Sequence, residues 1–337
     1  MRTDRTTTRP AWLRAGSLLA ASALLLTACG GDKKDGGSDQ PADPQGTGHQ
    51  STLSRINPLT GERLGAPPKR PILAFKIDNS GHGTQVGLGK ADMVVEELVE
   101  GGITRLAAFY YSKVPHRAGP MRSMRATDIG IVQPLKAVLV ASGGAGVTLR
   151  RVHGAGIRTV TEGAPGFYRG QGYAPYNLFM DVDKLVKPMK ALRTTPTPYL
   201  PFGDQDLPKG KPAKRFTAVF STSSATSFEL RKGKYVNTDS NATKGDDFLP
   251  DTVVVLRVKV GLAGYRDPAG YPVPETKFTG RGPAVVFHDG RMVRGTWVKN
   301  GLDRVVTLRT AAGPLEIPAG KVRLELVPVK GGDLRVG

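Results

Sequence analysis

MVVEELVEGGITRLAAFYY, residues 93–111, is the stretch on which the fold turns. Two β-prone runs flank Gly101-Gly102. A Gly-Gly loop permits the positive-φ turns that match strand twist, so the stretch predicts a hairpin. In the expected register Glu100 opposes Ile103, Leu98 opposes Arg105 and Glu96 opposes Ala107. Arg105 then lies diagonal to Glu96 and Glu100 on one face, within reach of long side chains. Charges inside a sheet must be paired.

The runs around this hairpin extend the sheet. PILAFKIDN, 71–79, reads as a buried strand that ends in polar residues. In HRAGPMRSMRATDIGIVQPL, Gly119-Pro120 marks a turn, and Ser123 is placed to cap a helix reaching about Gln133. LKAVLVAS, 135–142, is a second buried strand, followed by the glycine loop 143–146 and a short helix, VTLRRVH. Strand, glycine loop and helix make an α/β unit. GFYRGQGYAPYNLFMD, 166–181, is an irregular aromatic loop, and 182–192 reads as helix. A Pro-rich linker, 196–214, precedes short runs separated by Gly, Asp and Pro turns. The pattern predicts an α/β N-terminal domain with a mixed sheet, 55–195, and a smaller antiparallel β-rich C-terminal domain, 215–330.

Residues 1–28 read as a secretory leader: Arg2, Arg5, Arg9 and Arg14, then an apolar stretch from Ala15 to Leu26. The apolar part falls short of the ~20 residues a spanning helix needs. Leu26-Thr27-Ala28-Cys29 resembles a bacterial lipobox and holds the only cysteine of 337 residues. Cys29 is therefore the expected lipidation site. As a diacylglyceryl-cysteine carrying palmitate-like acyl chains, it would be held by membrane lipid at the outer face of the cytoplasmic membrane. No thiol is then left for a disulfide or a nucleophile. Residues 29–54 are almost devoid of apolar side chains and read as a disordered tether. The net charge of +19 falls to +16 once the four Arg and one Asp of the leader are removed. Outside the membrane, such a surface meets lipid headgroups and wall polymers rather than nucleic acid.

Familiar catalytic patterns are missing. GGAG lacks the third glycine of a dinucleotide loop, and there is no G-K-[ST]. The five histidines have no zinc-ligand spacing, and Val140 breaks a nucleophile elbow at Ser142. No metal and no cofactor is called for. What remains is a polar constellation: Asp78, Asn79, Glu96, Glu100, Arg105, Arg122, Arg125, Arg169 and Asn177. Arg122 and Arg125 at a helix start beside a glycine loop could cradle an anion, with Glu96 or Glu100 as acid or base. The same residues could equally form an internal ion-pair network joining hairpin to helix. The aromatic side chains of 166–179 could stack on sugar rings or fill a gap against the core.

Several motifs together resemble the YerB-like lipoproteins. They are NPLTGE (57–62), KIDN (76–79), VEGGITR (99–105) and GP-x-RS-x-R (119–125). YR (168–169), YNL (176–178), VVF (285–287) and GTW-x-K (295–299) continue the likeness. It implies an extracytoplasmic lipoprotein with N- and C-terminal parts, and no reaction. Three features depart from the pattern. Ser142 and Tyr176 stand where histidines are expected, and 216–252 is shortened, without a Trp-x-Tyr-Asp stretch. The expected function is non-catalytic or regulatory binding of a cell-wall component or an envelope protein. A wall glycan or peptide hydrolase and a solute-binding lipoprotein for a small anion remain as alternatives.

Overall fold

The computed structural model describes residues 55–190 and 196–337. They lie in one compact unit running from Gly48 to Gly337. The leader, Cys29, the whole of the tether and residues 191–195 fall outside the described residues.

A thirteen-stranded mixed sheet organises the chain. Its centre is the strand Val322–Pro328, inserted between Thr252–Arg266 and Met93–Leu98 and parallel to both. Every residue of Val322–Pro328 is buried, as expected of a strand with parallel neighbours and covered faces. On one side Met93–Leu98 continues to Thr104–Tyr110, Leu73–Asp78, Val138–Val140 and Thr159–Val160. On the other, Thr252–Arg266 continues to Gly280–His288, Arg291–Lys299, Thr307–Thr310 and Gly313–Pro314. One face carries the largest apolar cluster, including Phe109, Leu139, Val254, Trp297 and Leu324. The opposite face carries two clusters. Phe75, Tyr110 and Met180 belong to one, and Phe216, Phe228 and Phe287 to the other. A four-stranded sheet, 215–219, 225–231, 234–237 and 333–336, covers the second of these.

Two expectations are corrected. The first half is not clearly α/β. Among the described residues its α-helices are Asp128–Val132, Gly146–Gly154 and Val182–Val186, and strands dominate. Nor is the second half purely antiparallel, because Val322–Pro328 pairs in parallel across both halves.

Two local readings also shift. The hairpin forms, but Glu97 rather than Leu98 opposes Arg105, and Leu106 opposes Glu96. Residues Glu100–Gly102 fold into a 3₁₀ turn with Gly101 at φ 73°, and Val99 N–H bonds Ile103 O. The larger turn slips the register by one, and a one-residue slip exchanges faces. The helix expected from Ser123 begins only at Asp128. Residues 120–124 stay extended because their backbone is already engaged. Asp78 N–H bonds Pro120 O, Arg122 N–H bonds Lys76 O, and Ser142 N–H bonds Arg122 O. This segment thus fills the gap beyond the ends of two parallel strands.

Candidate functional site

The polar constellation divides between the two faces of the sheet. On the first face Glu97 opposes Arg105, and Arg105 opposes Asp78. Glu100 accepts from Arg105 Nη2 at 2.8 Å and from Arg125 Nε at 2.8 Å, and Arg125 Nη2 makes a further contact. Arg105 Nη1 donates to Ser123 O at 2.9 Å. Beside this cluster Lys76 donates to Asp128 at 2.8 Å and also contacts Glu97. Lys76, Arg105, Arg125, Glu97, Glu100 and Asp128 are all buried. Three cations are thereby matched by three carboxylates. Burial opposes ionisation of Glu100, but the hydrogen bonds from Arg125 and the charges of both arginines outweigh it and hold the group at about 2. Burial, reinforced by the charge of Arg125, lowers Arg105 to about 10. Glu97 is pushed up to about 7 by burial, with Lys76 opposing the shift and Asp128 adding to it.

Glu96 points to the opposite face. It accepts from Asn79 Nδ2 at 3.0 Å and from Thr226 Oγ1 at 3.0 Å, and it pairs with Arg323. Arg323 Nε donates to Glu325 at 2.6 Å. One cation between two buried carboxylates leaves one negative charge in excess. Burial and then the charge of Glu96 push Glu325 up to about 8. This network ties Asn79 and Glu96 to Thr226 and Arg323, and so joins residues from the two halves of the chain.

The remaining named residues meet at a third place. The antiparallel pair Phe167–Arg169 and Leu178–Asp181 carries the aromatic loop. Asn177 holds its shape, donating to Gly170 O at 3.2 Å and Gly172 O at 3.0 Å and accepting from Arg169 at 3.1 Å. Arg169 also pairs with Glu162 at 2.6 Å. The loop borders a groove of about 670 Å³ lined by His82, Arg117, Tyr168, Tyr173, Tyr176 and Phe179, with Thr84, Gln171 and Thr243 among the polar groups. His82 packs on Tyr176 at 4.8 Å, Tyr173 meets it edge-on at 5.4 Å, and Tyr168 stacks on Phe179 at 6.0 Å. Tyr173 is 61% exposed. Gly83 allows the close approach: a Cβ there would stand 2.8 Å from both Pro120 Cγ and Tyr176 O.

Arg122 joins groove and interior. Its guanidinium lies 4.7 Å from the centre of the Tyr176 ring, a cation–π contact. Its Nε is 3.6 Å from Asp78 Oδ1, too far for a hydrogen bond. Asp78 Oδ2 is taken by Ser80, at 2.7 Å from Oγ and 3.1 Å from N. Asp78 Oδ1 and Arg122 Nη1 are buried without hydrogen-bond partners.

Glu100, Arg105 and Arg125 are therefore brought together, as are Asn79 with Glu96, Asp78 with Arg122, and Arg169 with Asn177. The expected pairing of Glu96 with Arg105 is corrected: its cation is Arg323. Arg122 and Arg125 both precede the helix, which begins at Asp128, and Arg125 N–H donates to Asp128 Oδ2 at 2.6 Å. Sequence reasoning passed over Lys76, Glu97, Asp128, Arg323 and Glu325. Among the described residues no cluster of three or more His, Cys, Asp or Glu is arranged to hold a metal ion.

Residues 59–195 match the N-terminal domain, and residues 217–322 the C-terminal domain, of a family of proteins of unknown function, DUF3048; the chain belongs to that family. Among solved structures it resembles the YerB protein from Bacillus subtilis in fold. The TM-score is 0.67 at 20% identity, covering 83% of this chain and 99% of that one. In sequence it is similar to the putative lipoprotein YerB of Bacillus subtilis (strain 168), 34% identical over 88 residues. Those residues are 26% of this chain and 27% of that protein, so the match spans about a quarter of the curated relative. The likeness to YerB-like proteins read from the motifs is thereby established.

Proposed function

We propose that this chain is an extracytoplasmic lipoprotein, held by lipidated Cys29 at the outer face of the cytoplasmic membrane, that binds a glycan component of the cell wall without turning it over. The aromatic groove carries this reading. Its volume lies in the range of small-ligand sites, and rings with a few placed polar groups suit the alternating apolar and hydroxyl faces of sugars. Arg117 and the Arg122 guanidinium beneath Tyr176 favour a glycan that also bears acidic groups. The name of the relative supports the envelope location.

The engagement of the acids supports binding over hydrolysis. A glycosidase needs two carboxyl groups about 5–10 Å apart with room for sugar and water. Here Glu96 and Glu100 are buried and committed to Arg323 and to Arg105 and Arg125.

Calorimetric titration of the chain with purified wall fragments tests the reading. Saturable binding should weaken at least tenfold in Tyr173→Ala/Tyr176→Ala, with the fold intact by circular dichroism. Equal binding by the variant would remove the groove from the account. Independently, Cys29→Ser should move the protein from the membrane to the soluble fraction, and an unchanged membrane fraction would count against the anchor.

A further inference from the structure

Among the described residues, one region of the thirteen-stranded sheet lies exposed. The four-stranded sheet packs over Val253, Val255, Val285, Phe287 and Met292. Further along the same face the strands run past it. Arg294 opposes Val285, Thr296 opposes Pro283, and Val298 opposes Arg281. On the next strand Arg309 opposes Thr296 and Thr307 opposes Val298. Arg281, opposite Val298, Arg309, opposite Thr296, and Arg294, two residues before Thr296 on its own strand, therefore share one face on three neighbouring strands. All three arginines are exposed. Exposed Lys259 extends the row on the strand Thr252–Arg266.

Like charges crowded on a sheet repel one another, and nearby carboxylates do not relieve this group. Asp303 pairs with Arg304, Asp333 with Arg335, and Glu275 with Arg151 and Lys277. Among the described residues no carboxylate forms a salt bridge with Lys259, Arg281, Arg294 or Arg309. The opposite side of these strands is apolar core, with Ala284, Val286, Val293, Trp297 and Leu308. The arginine side is thus held out by the fold as a broad, exposed, unneutralised surface.

We propose that this face docks on the anionic phospholipid surface of the membrane that anchors the chain. It goes beyond the glycan reading and does not depend on the groove. A sheet face presents its cations across three strands, which suits a planar array of phosphates better than a single polymer strand tracked along a groove. The anchor supplies proximity: Arg55 follows Cys29 by 26 residues, a span of at most about 90 Å. Near an anionic leaflet each Lys or Arg strengthens binding by a factor of about five. Three arginines together are then worth about a hundredfold. Docking fixes which side of the body faces the membrane, so that the ligand groove keeps one orientation toward the wall.

The test uses the chain from Gly30 onward, which retains the whole compact unit and carries no acyl chain. Sedimentation is measured with phosphatidylcholine vesicles, with and without phosphatidylglycerol. Binding should require phosphatidylglycerol and fall about a hundredfold in Arg281→Gln/Arg294→Gln/Arg309→Gln. A control losing the same charge elsewhere, Lys69→Gln/Lys90→Gln/Lys113→Gln, should lose far less. Thermal melts establish that both variants stay folded, as expected for exposed side chains. Equal loss in the two variants would reduce the effect to net charge and overturn the proposal. So would binding indifferent to phosphatidylglycerol, or tight arginine-dependent binding of soluble polyglycerol phosphate by a protein that ignores the vesicles.

Discussion

Glu100→Gln should destabilise the fold by about 3–5 kcal/mol, the usual cost of removing one partner from a buried ion pair. Two guanidiniums depend on this carboxylate. Arg105 and Arg125 have side chains 3% and 8% exposed, and both bond Glu100. The amide keeps the shape and one acceptor oxygen but loses the charge, so neither arginine is neutralised. Titration leads to a similar magnitude. A carboxyl held at about 2 against an ordinary 4.5 contributes roughly 3 kcal/mol at about 1.4 kcal/mol per pH unit. Because the folded value is depressed, this stability is complete above about pH 4.5 and is lost as pH falls toward 2. Urea unfolding at pH 7 is the assay. With a slope of up to ~3 kcal/mol per molar, the midpoint should drop by about 1 M or more. The variant should also lose most of the steep fall in stability between pH 4.5 and 2. A loss below about 1 kcal/mol, with an unchanged acid limb, would refute the structural role and return Glu100 to the list of ligand-binding residues.

The other predictions concern separate parts of the molecule. Glu325 is raised to about 8, so the folded state binds the extra proton and stability should fall as pH rises from about 4.5 to 8. Glu325→Gln should flatten that limb and stabilise the chain at pH 8, read as urea midpoints at pH 5 and pH 8. Lys299 donates to Gly301 O at 2.8 Å and Leu302 O at 2.9 Å and also bonds Arg304 O. Lys299→Met should cost about 1–3 kcal/mol by leaving those carbonyls without a donor, and should speed amide exchange in residues 300–306. Gly83→Ala should displace Tyr176 and weaken glycan binding severalfold in titration calorimetry, with little change in melting temperature.

Much of the sheet could be read from apolar runs, and the errors have specific causes. The hairpin at 93–111 was legible, but its register was not. Gly-Gly signals a turn without stating that Glu100 joins it, and that single residue decides whether Glu96 or Glu97 faces Arg105. VRLELVP alternates charged with apolar residues, a pattern that by itself suits a half-exposed strand. Long-range insertion between two parallel neighbours buries both charges. Lys76 and Glu97 did leave a signal, a charge inside an apolar strand, because such a group requires a buried partner. Its partner, Asp128, is fifty-two residues away from Lys76, a separation that local pattern cannot bridge. The Ser123 cap failed because residues 120–124 gain backbone bonds to both flanking strands, which outweigh a local preference. The aromatic loop was visible as composition. Its closure into a groove with His82, above Arg122, arises only from tertiary structure.

One experiment bears most directly on the central claim, that the groove binds wall glycan without cleaving it. The chain from Gly30 onward is incubated with purified wall glycan, and bound protein and newly released reducing ends are followed together. The account predicts saturable binding, weakened at least tenfold by Tyr173→Ala/Tyr176→Ala, with no reducing ends above the protein-free control. Release of fragments over time, or binding that the tyrosine variant retains in full, would contradict it.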